Sequence, residues 1–134
     1  MGEFDQCLTV YETALRLLGE DTENSNFFVM TNDVARAYFK QNRNFECRYL
    51  CGTHLSILES RAESSTTFLM AYVQRLLLLG DLEAMEQNHF TSVELYRKAS
   101  RATNGRNMIA DVDRSIQEKL WHAVSKAERM QAAN

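Results

Sequence analysis

Apolar residues recur along the chain at three- and four-residue steps, broken by short polar clusters, and that rhythm predicts helices. Phe4, Cys7, Leu8, Tyr11, Ala14, Leu15 and Leu18 place one helix over about 3–18, with Gly19 as its cap and a polar loop after it. A second is expected over about 26–41, with Phe28, Thr31, Val34, Ala35, Tyr38 and Phe39 inward. Asn42-Arg43-Asn44 makes a tight link. A third helix then runs to about residue 60 and buries Phe45, Cys47, Leu50, Cys51, Leu55 and Leu58.

The chain is organised around the next stretch, Phe68-Leu-Met-Ala-Tyr-Val-Gln-Arg-Leu-Leu-Leu-Leu79, in which ten of twelve residues are apolar. Its length and its good helix formers predict a helix apolar on nearly every face, hence one enclosed by neighbours. It is too short to span a bilayer, and Gln74-Arg75 interrupt it. Gly80-Asp81 is expected to turn the chain, with Asp81 capping a fifth helix over about 82–102 that carries Leu82, Met85, His89, Val93, Tyr96 and Ala99 inward. Asn104-Gly105 ends it. Asn107 is suited to cap a last helix to about residue 130, with Ile109, Val112, Ile116, Leu120, Val124 and Ala127 on one face.

Composition sharpens this picture. The 134 residues fit one domain, 1–134, and the absence of proline suits a nearly all-helical chain with short connectors. A net charge of −3 gives no basic field for nucleic acid, and Arg97, Lys98, Arg101 and Arg106 read as a solvated helix end. Three cysteines, an odd number, without a secretory signal or membrane span, point to free thiols in a reducing compartment, cytoplasm or nucleus.

Candidate chemistry is sparse. Cys47, Cys51 and His54 share a helix face at metal-ligand spacing, with Cys7 or His89 as a conceivable fourth ligand. No Cys-x-x-Cys step accompanies them, and small buried thiols filling helix contacts is the preferred reading. Glu86-Gln-Asn-His89 has the Glu-x-x-His step of di-iron bundles but no second copy. No nucleophile elbow or phosphate loop is present. Neither a catalytic residue, nor a metal site, nor a cofactor is assigned, and the chain is read as a non-enzyme.

The segment Gly2-Glu-Phe-Asp-Gln-Cys-Leu-Thr-Val-Tyr-Glu-Thr-Ala-Leu15 resembles the turn and second helix of a tetratricopeptide repeat (TPR). Val34-Ala35-Arg36-Ala37-Tyr38-Phe39-Lys40-Gln41 resembles a first helix, and Gly80-Asp81-Leu82 and Tyr96-Arg97-Lys98-Ala99 resemble a turn and a repeat ending. The resemblance implies an all-α fold of antiparallel helical hairpins stacked as a short right-handed solenoid of about six helices. Its parts would be a partial repeat at 2–18, repeats at 26–60 and 64–102, and a capping helix at 108–131. The chain would then begin inside a repeat, so either its first helix packs directly on the next pair or longer repeats precede it.

By that resemblance the first helices of each pair line a concave face, where Asn32, Arg36, Phe39, Lys40, Met70, Gln74, Leu77 and Leu78 fall. The expected function is a protein-interaction scaffold holding a peptide or helix of another protein there, with Arg36 and Lys40 meeting an acidic group. Trp121 is a second candidate contact, or else completes the core. The alternative is an obligate structural subunit of a homodimer or larger complex. No nucleic acid and no membrane insertion are expected.

Overall fold

The computed structural model describes residues 6, 9, 10, 12, 13, 16, 24–103 and 110–133. It is all-helical, with no strand among the described residues. The elements are α1 (Ser25–Lys40), α2 (Asn44–Gly52), α3 (Leu55–Arg61), α4 (Thr66–Met85), α5 (His89–Thr103) and α6 (Ala110–Ala133). Residues 6, 9, 10, 12, 13 and 16 are also helical. The rest of the expected first helix, the Asn104-Gly105 ending and the Asn107 cap lie outside the described residues. No described helix is long and apolar enough to cross a membrane.

The chain forms two compact units, Met1–Arg75 and Leu76–Asn134, and α4 contributes to both. No residue of α4 between 68 and 79 is exposed.

In the first unit, Asn24 caps α1 by accepting the Asn26 N–H at 3.0 Å, and Ser65 Oγ accepts the Phe68 N–H at the start of α4. α1 ends at Asn42, held in the left-handed region at φ 62°. There the Arg43 N–H donates to the Tyr38 carbonyl and the Asn42 N–H to the Phe39 carbonyl, a Schellman closure. α1 packs on α2. The core of this unit gathers Phe28, Val34, Ala35, Cys47, Cys51, Leu58, Leu69 and Val73.

The helix expected from 45 to about 60 is two helices, divided at Thr53 and His54. Thr53 is extended and His54 is left-handed at φ 59°. The Thr53 carbonyl, which a continuous helix would give to a backbone N–H four residues on, instead accepts Arg75 Nη1 at 2.8 Å. Phe45, expected inside, is 79% exposed. Cys47 and Cys51 define the buried stripe of α2, and Phe45, two residues away, is turned to the opposite side.

In the second unit the expected turn at Gly80-Asp81 is helix, and the fifth helix starts at His89 rather than near 82. Gly80 serves contact, not turning: a Cβ there would lie 2.4 Å from the Tyr96 ring. Ser92 Oγ donates to the Gly80 carbonyl at 2.9 Å across the same approach. The chain turns at 86–88, where Gln87 is left-handed at φ 70°. The Asn88 N–H donates to the Glu83 carbonyl and the Gln87 N–H to that of Ala84, a second Schellman closure. Met85, expected inside, is exposed beside this turn.

Asp81, expected as a cap, accepts the Tyr96 hydroxyl and Lys119 Nζ, the latter at 2.9 and 3.0 Å to its two oxygens. α5 packs on α6, and Val93, Tyr96, Ala123 and Ala127 form a core flanked by Leu77, Leu120 and Val124.

Candidate functional site

Two features of the first unit meet at Thr53. The first is a buried polar network. Arg75 is 1% exposed inside the apolar run of α4, and its Nε donates to Asn32 Oδ1 at 2.9 Å. Asn32 Nδ2 donates in turn to the Ala71 carbonyl at 2.9 Å, so both ends of that amide are engaged. Arg75 Nη1 holds the Thr53 carbonyl at the negative end of α2, where a cation is electrostatically favoured.

The guanidinium lies 5.6 Å from the Phe28 ring centroid, while Nη2 is buried without a hydrogen-bond partner among the described residues. Burial pulls the pKa of this group down. Beside it, Cys47 and Cys51 are fully buried and free. Their mutual hydrogen bond, and then burial, push the Cys51 thiol up.

The second feature is a cleft of about 580 Å3 between α1 and α2. Phe27, Thr31, Val34 and Tyr38 supply one wall, at successive turns of one α1 stripe. Phe45, Glu46, Tyr49 and Leu50 supply the facing wall from α2, Thr53 and His54 close one end, and Glu12 and Arg16 complete the rim. Val34 and Tyr38 form a buried floor, whereas Phe45 and Tyr49, one turn apart, are 79% and 68% exposed. Tyr38 donates its hydroxyl to Glu12, and Arg43 lies 4.5 Å from the Tyr38 ring centroid. Burial first, and then that bond, push the Tyr38 phenol up to about 12. At neutral pH the floor is therefore an uncharged aromatic surface with a polar rim of both signs.

The network and the cleft share one residue: Arg75 holds the Thr53 carbonyl, and Thr53 also lines the cleft. Such a site has the composition of a binding groove, an apolar wall with few polar groups at its edge. Among the described residues no group of three or more His, Cys, Asp or Glu is placed to hold a metal.

The residues expected to face a partner differ in exposure. Asn32 is 2% exposed and fully engaged in packing, because its amide serves both Arg75 and α4. Arg36 is half-exposed and pairs with Asp33 at 3.2 Å. Phe39, Met70 and Gln74 are half-buried, and Lys40 is exposed. Trp121, in the second unit, is 66% exposed. Sequence reasoning passed over Arg75, although an arginine enclosed by apolar residues has to be buried and partnered. It also passed over the Phe45 and Tyr49 pair, whose four-residue spacing out of phase with Cys47 and Cys51 is readable. No protein-family model, no curated protein and no solved structure matches this chain.

Proposed function

We propose that the protein is a non-enzymatic helical interaction module, and that the cleft between α1 and α2 receives a helix or peptide of a partner protein. The observation that carries this reading is the exposed Phe45 and Tyr49 pair standing over a buried floor of Val34 and Tyr38. Aromatic side chains at the mouth of a pre-formed apolar cleft give contact area at small entropic cost, as interface anchors do. The ligand that fits inserts aliphatic or aromatic side chains between α1 and α2 and meets Glu12, Arg16 and Glu46 at the edge. The α1–α2 hairpin supports a divergent TPR-like reading of the 26–60 segment, and the buried free thiols suit a cytoplasmic or nuclear setting.

Peptides selected from a random library on the intact chain test this reading. The expected binders carry apolar residues at helical spacing, and Phe45→Ala weakens them by about 2 kcal/mol in a calorimetric titration. Equal affinity for the wild-type and Phe45→Ala chains would remove the cleft from consideration. The second reading, an obligate subunit, draws on exposed Phe90 and Met85 as further apolar residues available for permanent cover. An assembly that stays intact at nanomolar concentration would favour it.

A further inference from the structure

We infer that the outer face of α6 is a self-association surface, on which a second copy of this chain docks antiparallel across a twofold axis at Trp121. Ile116, Ala123 and Ala127 are buried on α6, and Ala123 and Ala127 belong to the core shared with α5. Arg114, Trp121 and Glu128 are spaced by sevens, which on a helix is a single stripe, and all three are exposed. A shallow surface hollow of about 560 Å3 lies on this helix, with Trp121 itself in its wall beside Gln117, Leu120, His122 and Val124, and the Trp121 and His122 rings meet edge to face at 5.1 Å. An exposed indole and the hollow it lines therefore share one face.

That combination is what a twofold contact requires, since each copy must present a surface complementary to itself. The charges fix the direction. Arg114 precedes Trp121 and Glu128 follows it by the same interval, so with Trp121 on the axis an antiparallel copy brings each Arg114 opposite the partner's Glu128. Two symmetric ion pairs then flank a central contact in which the two Trp121 indoles meet across the axis. A parallel copy would set Arg114 against Arg114 and Glu128 against Glu128, and like charges oppose that alignment. The stripe from 114 to 128 extends ~21 Å at the helical rise, a small interface, so association is reversible and concentration-dependent.

The experiment uses the full chain, from about 1 to about 300 µM, in sedimentation velocity and in fluorescence. Trp121 is the sole tryptophan, so its emission reports this surface directly. The expected result is a dimer that grows with concentration while the emission moves to shorter wavelength and resists acrylamide quenching. Trp121→Ala abolishes the dimer. Arg114→Glu and Glu128→Arg each weaken self-association tenfold or more, on the order expected for facing like charges. Mixing the two single variants restores it, because the mixed pair recovers both opposite-charge contacts, and the double variant R114E/E128R restores it as well. Helical circular dichroism confirms that each variant is folded. A monomer throughout the range, a dimer that survives Trp121→Ala, or charge variants that fail to rescue one another would each overturn the inference.

Discussion

In the first unit, α4 brings a charged side chain into the interior and satisfies it with an amide and a helix-end carbonyl. In the second unit the same helix removes side-chain volume, so that Tyr96 and Ser92 reach its backbone at Gly80. The two solutions carry different liabilities. A buried guanidinium is stable only while its acceptors stay in place, since an uncompensated polar group in a low-dielectric interior costs several kcal/mol. A glycine contact involves no buried charge and is sensitive only to volume. Polar networks therefore define where backbone elements end, whereas small-residue contacts define how closely they approach.

The largest expected effect breaks the polar solution. Arg75→Ala opens a cavity and leaves Asn32 Oδ1 and the Thr53 carbonyl without their donor. Urea unfolding should show a loss of about 3–5 kcal/mol. A loss under about 1 kcal/mol would mean that the guanidinium reaches water, and the contrast between the units would collapse.

A smaller effect is expected from Gly80→Ala. Alanine gains about 1 kcal/mol of helix propensity in a helix interior, yet its Cβ meets the buried Tyr96 ring, whose hydroxyl is tethered to Asp81. Overpacking should win, for a net loss of about 1–3 kcal/mol by the same measurement. A gain in stability would show that the ring moves aside without cost, and that close approach is not what glycine provides there.

The smallest change sharpens the comparison by leaving both interiors untouched. Gln87 ends α4 in a left-handed conformation that glycine adopts freely. Gln87→Gly should raise stability by about 0.5–1 kcal/mol and the melting temperature by a few degrees, since no contact is removed. Destabilisation in the thermal melt would indicate that the glutamine side chain holds the turn.

What was legible in the sequence follows from which faces are wet. α1 and α6 alternate apolar and polar positions at helical period because each lies half in solvent. The span and inner face of α1 could be read directly, whereas on α6 Ile116 and Ala127 are buried as expected, Val112, Leu120 and Val124 are half-buried, and buried Ala123 was not foreseen. Between 68 and 79 α4 is apolar on nearly every face, and its period there cannot show where it ends; Gly80-Asp81 was the nearest punctuation and misled. Ser92 and Ala99, small and seven residues apart on α5, are the signal that a close helix approach was possible. The split at Thr53 and His54 had a local sign in Gly52, the last residue of α2, whereas the Arg75 donor that takes the Thr53 carbonyl is remote in sequence. The cleft was missed for a different reason. Placing Phe45 with Cys47 inside put two residues on one face that helical geometry sends apart.

The placement of two rare residue types has a consequence for following the molecule's motion. Two of the three thiols, Cys47 and Cys51, are sealed inside the first unit, while the second unit contains no cysteine but holds the sole indole, on its surface. Alkylation of the sealed thiols can proceed only through transient opening around α2, so its rate measures the free energy of that fluctuation rather than of complete unfolding. Indole fluorescence responds to events at α6. Without any engineered label, the chain thus carries a separate clock for each half of its own breathing.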